Sequence, residues 1–208
     1  MNCFDVVQLQ QSQIPASSEI AANAFESDPV FSCLTPDDPD LRFQALTWLT
    51  NRVMAYCKQY EHIYTTSDLK GVAAWLPPGE FSGQLRQQLK IVLQLQLYKL
   101  PMKVGWHRLR RWLNVLYTIE IAHQKDMGNA LCWYLGLMVV HPAKQGQGTG
   151  SQLLQPILRR ASDEGLPCYV VTFTGQAVRF YQRNGFEIAH KQKFASDAPS
   201  FWTLKRNP

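Results

Sequence analysis

At 208 residues with 46% apolar content, the chain holds enough apolar material for one globular domain, residues 1–208, whose core needs no staples. Five cysteines, Cys3, Cys33, Cys57, Cys132 and Cys168, are odd in number and lack C-x-x-C or zinc-like spacing, so reduced thiols, a cytoplasmic setting and no metal site are expected. A net charge of +5 is modest, and no basic-then-apolar leader or apolar run of roughly 20 residues argues for secretion or a membrane role.

Taken in chain order, Phe4 to Gln10 alternates as a first strand, and Ser17 or Ser18 is placed to cap a helix running to Phe25. Pro29, Pro36 and Pro39 then predict irregular structure from Asp28 to Asp40. Leu41 to Tyr60 is a long amphipathic helix with Leu46, Leu49, Val53 and Tyr56 on one face, and its aromatic residues read as core. His62 to Thr66 and Gly71 to Leu76 form a hairpin ended by Pro77-Pro78-Gly79. Phe81 to His123 reads as two helices broken around Pro101 to Gly105. No acidic residue lies between Glu80 and Glu120, whereas Arg86, Lys90, Lys99, Lys103, Arg108, Arg110 and Arg111 do. This basic interval is either a solvated face or a rim that attracts an anion. No stacking platform or recognition helix suggests nucleic acid.

Leu131 to Val140 is an unbroken apolar run stopped by His141-Pro142, which predicts a buried central strand. Gly146, Gly148 and Gly150 follow, and then Leu153, Leu154, Ile157 and Leu158 at helical spacing in a helix from Thr149 to Glu164. Strand, glycine turn, helix is a phosphate-binding layout, because bare backbone lets N–H groups converge at a helix N-terminus. Ser151-Gln152 after Gly150 is not the Lys-Ser/Thr of a nucleoside-triphosphate loop, and Ser151 fills the third glycine of a dinucleotide fingerprint. Cys168 to Phe173 is the next strand, Gln176 to Asn184 a helix, and Phe186 to Gln192 and Ser200 to Lys205 the last two strands. Hairpins first and a βαβ unit later imply a mixed α/β class: a mixed central sheet flanked by helices, with an extra helical pair between strands 3 and 4.

The remaining pattern, Gln145-x-x-Gly148-x-Gly150 followed by Phe180-Tyr181-x-x-x-Gly185-Phe186, resembles the two signatures of the GNAT superfamily of N-acetyltransferases over Leu131 to Ile188. Trp133-Tyr134-Leu135, Pro156 and the Phe180-Tyr181 pair are similar to its puromycin N-acetyltransferase-like branch. A weaker likeness runs through Asp28-Pro29-Val30-Phe31 and Ala74 to Gly79. The resemblance implies the GNAT fold and transfer of an acetyl group from acetyl-CoA directly to a primary amine of a small molecule or peptide. It implies that Gln145, Gly146, Gln147, Gly148, Thr149 and Gly150 hold the pyrophosphate. Met138, Val139 and Val140 would run beside the pantetheine arm, and an amide near Val139 or Val140 would serve the oxyanion. Tyr181 would protonate the departing thiolate.

The base is drawn from residues just before the central strand, where Glu120 and His123 lie one helical turn apart and Asp126 follows. Val170-Val171-Thr172 and Ala177 depart from the branch, which has Leu-Glu-Thr and an asparagine there. That departure keeps open a rival from another class, a non-catalytic acyl-CoA-binding or regulatory module. The expected partners are acetyl-CoA and an amine, with no nucleic acid and no membrane, and homodimer formation is left open.

Overall fold

The computed structural model describes residues 5–81, 85–194 and 198–208, and excludes the side chains of residues 85–88. Among them seven strands, β1 (Val6–Gln8), β2 (Ile63–Thr66), β3 (Gly71–Leu76), β4 (Trp133–Val140), β5 (Cys168–Thr172), β6 (Glu187–Lys193) and β7 (Ser200–Arg206), form one sheet in the order β1-β2-β3-β4-β5-β7-β6. Every neighbouring pair is antiparallel except β4 and β5. That parallel pair is joined by a crossover helix, as it must be. The architecture is the mixed sheet flanked by helices that the sequence predicts.

Among the described residues, eight α-helices cover it: α1 (Ile14–Phe25), α2 (Pro29–Leu34), α3 (Pro39–Lys58), α4 (Leu85–Gln94), α5 (Leu100–Val104), α6 (Trp106–Met127), α7 (Thr149–Glu164) and α8 (Gly175–Arg183). The stretch expected to be irregular carries α2 and the start of α3. Proline fits the first turn of a helix, where its missing N–H is not needed. Asp28 Oδ1 accepts from Val30 N at 2.9 Å and Phe31 N at 3.2 Å, and Asp38 Oδ1 from Leu41 N at 2.9 Å, so each aspartate-proline pair is a start signal. Ser17 and Ser18 likewise lie buried inside α1 rather than at its cap, because Pro15 starts that helix earlier. The helical insert breaks at Leu95–Gln96 and at Gly105, and Pro101 sits in the first turn of α5. Phe4, Cys3 and the Arg86 side chain lie outside the described residues.

One sheet face packs against α7 and α8 through Trp75, Trp133, Leu135, Leu153, Leu154 and Ile157. Each of these but Leu135 is 0% exposed, and burial of such side chains is worth roughly 1.5–3 kcal/mol apiece. The opposite face packs against α1 and α3 through Ile14, Met54, Ile63, Val72 and Val139. No described helix is long and apolar enough to cross a membrane.

Candidate active site

β4 is not the uniform buried strand its composition suggests. Its register against β3 shifts between Ala74 and Trp75, which pair with Leu137 and Leu135 and leave Gly136 as the extra residue of a bulge. Trp133 and Leu135 therefore face α7 before the bulge, whereas Leu137 and Val139 face α3 after it. Gly136 itself is exposed at the middle of the sheet.

The same point marks a fork. β4 and β5 pair only at Trp133–Cys168, Tyr134–Tyr169 and Leu135–Val170, although β4 continues for five further residues to Val140. His141 N donates to Lys70 O at 2.7 Å, so by alternation the amides of Val139 and Leu137 turn toward β3. Those of Met138 and Val140 turn into the open side of the fork, and the Val140 carbonyl there accepts from Gln145 Nε2 at 3.2 Å.

The glycine turn closes the open end. Gly148, with φ +83°, is the N-terminal cap of α7 and offers no side chain to its first amides, and Gly146 also has positive φ. At Gly150 the constraint is space, because a Cβ would lie 3.0 Å from the Phe180 ring and 3.2 Å from Met138 Cε. The first turn of α7 is thus drawn against α8 with its N–H groups unclaimed by any side chain. Thr149 adds a buried hydroxyl with no hydrogen-bond partner. Bare donors, a positive dipole end and an orphaned hydroxyl fit a pyrophosphate.

Tyr181 lies on the α7–α8 side of the sheet, 5% exposed, packed against Phe180 and Phe186. Burial raises its phenol pKa well above the ordinary value, so it stays protonated. Glu120 and His123 lie on the other side. Glu120 Oε1 is buried without a hydrogen-bond partner, and burial raises its carboxyl pKa. His123 is 3% exposed, with its ring edge-on to Phe81 and Tyr169 at 4.9 Å each, its Nε2 3.7 Å from Cys132 Sγ and its Nδ1 buried without a partner. Burial lowers the His123 pKa, with Asp126 opposing more weakly. Burial also pushes the Cys132 thiol up to about 12, which keeps it a poor nucleophile.

Other singled-out residues are engaged within the fold, Asp126 among them. Asp126, its side chain 1% exposed, accepts from Tyr169 Oη at 3.0 Å and Thr203 Oγ1 at 2.5 Å and pairs with His190 Nδ1. It ties α6 to β5, β6 and β7, and only the shared sheet brings these four residues together. His141 caps the turn after β4 by accepting from Ala143 N at 3.2 Å. Of the basic interval, Arg108 pairs with Asp37 at 2.8 Å, Arg111 donates to Cys33 O at 3.3 Å and Lys90 pairs with Glu80 at 2.9 Å, so part of its charge is spent within the fold.

A small pocket of about 110 Å³ opens on the α3 side at Gly136, between α3, β3, α4 and β4. Phe81 stacks on Tyr134 at 3.9 Å along its wall.

Residues 113–188 match the family model described as an acetyltransferase (GNAT) domain. A Dictyostelium discoideum protein named a probable serine/threonine-protein kinase is 22% identical over 209 residues, 91% of this chain and 21% of that protein. An uncharacterised N-acetyltransferase of Schizosaccharomyces pombe is 23% identical over 171 residues, 79% of this chain and 66% of that protein. The chain thus spans from about a fifth to about two thirds of the length of these curated relatives. The crystal structure of a histone acetyltransferase HPA2 and related acetyltransferase from Corynebacterium glutamicum shares the fold, with TM-score 0.64 at 20% identity over 99% of this chain and 96% of that one.

Proposed function

We propose that the chain, whose residues 113–188 match the GNAT acetyltransferase model, moves an acetyl group from acetyl-CoA directly to a primary amine. The observation that carries this reading is the fork. Strands β4 and β5 separate after Leu135 and Val170, and the glycine turn sits at the open end. Gln145 to Gly150 would hold the pyrophosphate, and the amides of Met138 and Val140 would bond an arm lying in the fork.

The reaction forms one N–C bond, breaks one C–S bond and moves one proton from the amine to the thiolate. The amine must be neutral to attack, and Glu120, made more basic by burial, is assigned to take its proton directly or through water. His123 borders the same space and, held neutral by burial, serves as a second acceptor. An amide of Met138 or Val140 would steady the developing oxyanion. Tyr181, kept protonated, would return a proton to the thiolate from the opposite side of the sheet.

A thiol-release assay with acetyl-CoA over amines, polyamines, aminoglycosides and N-terminal peptides tests the reading. Release with at least one amine supports it. Tight acetyl-CoA binding with no release on any amine supports the non-catalytic acyl-CoA-binding module instead.

A further inference from the structure

We infer that the acceptor is a monoamine carried on a small apolar body, a branched alkyl chain or a single ring, seated in the pocket at Gly136. This inference rests on the transferase reading and adds the class of substrate to it.

The position of the pocket comes first. Gly136 is both the bulge residue of β4 and part of the pocket floor, and a Cβ built on it would stand 3.7 Å from Cys57 Sγ and 3.7 Å from Ala74 O. A group held there lies against the strand where the fork begins, so an amine at its end is delivered to the fork from the side opposite Tyr181.

Size and polarity define the occupant. At about 110 Å³ the pocket is somewhat smaller than an apolar cavity of about 150 Å³ that admits benzene. A ring or a four- to six-carbon branch is therefore near its limit. Its walls are Val53, Tyr56, Leu76, Phe81, Ile91 and Tyr134, and Cys57 beside them is buried with its thiol pushed up to about 12, so it is uncharged. Burial likewise keeps the Tyr56 and Tyr134 phenols neutral. Among the described residues, none of the lining side chains is a carboxylate.

On the α4 side the acid Glu80 is engaged, accepting from Tyr60 Oη at 2.6 Å and Lys90 Nζ at 2.9 Å. Tyr60 in turn reaches Tyr56 at 3.4 Å, which places the Lys90 ammonium at the rim of the pocket. A second ammonium on a diamine or polyamine reaching the α4 rim would meet the Lys90 ammonium, whose partner Glu80 is already engaged. Aminoglycosides would put hydroxyl groups against an apolar wall that cannot bond them.

The test compares isoamylamine and phenethylamine with putrescine and spermidine at saturating acetyl-CoA, in the parent and in Ile91→Trp, which fills the pocket from α4. Acetyl-CoA affinity is measured alongside by calorimetry. The expected result is kcat/KM at least about tenfold higher for the apolar monoamines, the scale a hydrophobic pocket gives to small differences in fit. That preference should collapse in Ile91→Trp while acetyl-CoA binding stays intact. Lys90→Gln, which removes the ammonium at the rim, should narrow the gap by raising the putrescine rate. A parent that prefers spermidine, or an Ile91→Trp variant with unchanged selectivity, overturns the inference and leaves the transferase reading standing. If no amine releases thiol, the transferase reading falls instead. Calorimetric binding of phenethylamine to the parent but not to Ile91→Trp then upholds the pocket, and absence of such binding overturns it.

Discussion

Gly148→Val isolates the role of the glycine turn, because nothing lies within 4 Å of the Cβ it would add. No clash contributes, and the effect comes from the backbone alone. With φ at +83°, residue 148 occupies a left-handed conformation that costs an L-residue about 1–2 kcal/mol, with the β-branched side chain toward the upper end. The free variant relieves this by rotating toward negative φ, which swings the amides flanking the cap of α7 away from their common focus. Binding a pyrophosphate must restore the strained state, so acetyl-CoA should bind about 5- to 30-fold more weakly, at about 1.4 kcal/mol per tenfold. Calorimetry with acetyl-CoA measures this, and a thermal melt confirms that the variant is folded. Gly165→Val is the matched control: it has φ +66° and equally open surroundings at the other end of the same helix, so it should lower stability without touching affinity. Parent-like binding by folded Gly148→Val, or equal weakening by Gly165→Val, would refute the assignment of the turn.

Tyr181→Phe removes one hydroxyl and keeps the ring, so acetyl-CoA affinity should survive while kcat falls, nearer 10²-fold than 10⁴-fold because a thiolate leaves tolerably unprotonated; parent-like turnover demotes Tyr181 to a core aromatic. Glu120→Gln should slow turnover yet stabilise the fold at neutral pH. Burial raises the Glu120 pKa above its ordinary 4.5, so its ionisation opposes folding as pH rises through the folded-state value and has no effect below 4.5. The melting-temperature gain should therefore vanish in acid, and a gain that is equal at both pH values contradicts the burial argument. Asp126→Ala strands the Tyr169 and Thr203 hydroxyls and the His190 ring nitrogen, and a loss of about 2–4 kcal/mol in a denaturant titration is expected; a loss under about 1 kcal/mol removes Asp126 as the anchor between α6 and the sheet.

The strand, glycine turn and helix proposed to hold the coenzyme could be read from the chain because they are local: Val140, Gln145 and Gly150 lie within one unit, and the spacing of the glycines carries its geometry. The acceptor side could not. Tyr56, Phe81, Ile91 and Gly136 come from four places separated by tens of residues, and Tyr56 on the apolar face of a helix is indistinguishable in sequence from a core aromatic. Gly136 was hidden by its surroundings, since one glycine in a run of apolar residues does not announce a bulge. Pro29 and Pro39 misled for the opposite reason, because the signal that matters is the aspartate before each proline. Arg108 and Arg111 show how a charge tally misjudges a surface when the partners, Asp37 and the Cys33 carbonyl, lie far away in sequence.

On the proposed mechanism, the placement of Tyr181 and Glu120 gives the bulge and the fork a common reason. Side chains alternate across a strand, so Tyr134 and Tyr169 face the α3–α6 side with His123, whereas Leu135 and Val170 face the α7–α8 side with Tyr181. In a closed sheet, groups on the two faces could never serve one reacting carbon. Opening β4 from β5 beyond Leu135 removes that barrier, and inserting Gly136 leaves the strand without a side chain at the opening. The coenzyme half of this arrangement falls within residues 113–188, which match the family model. Three of the four elements around the pocket, α3, β3 and α4, fall outside that match. On the proposed reading chemistry and selectivity rest on separate stretches of the chain, so substitutions at Val53, Tyr56 or Ile91 should retune the acceptor without disturbing the turn proposed to hold the phosphates.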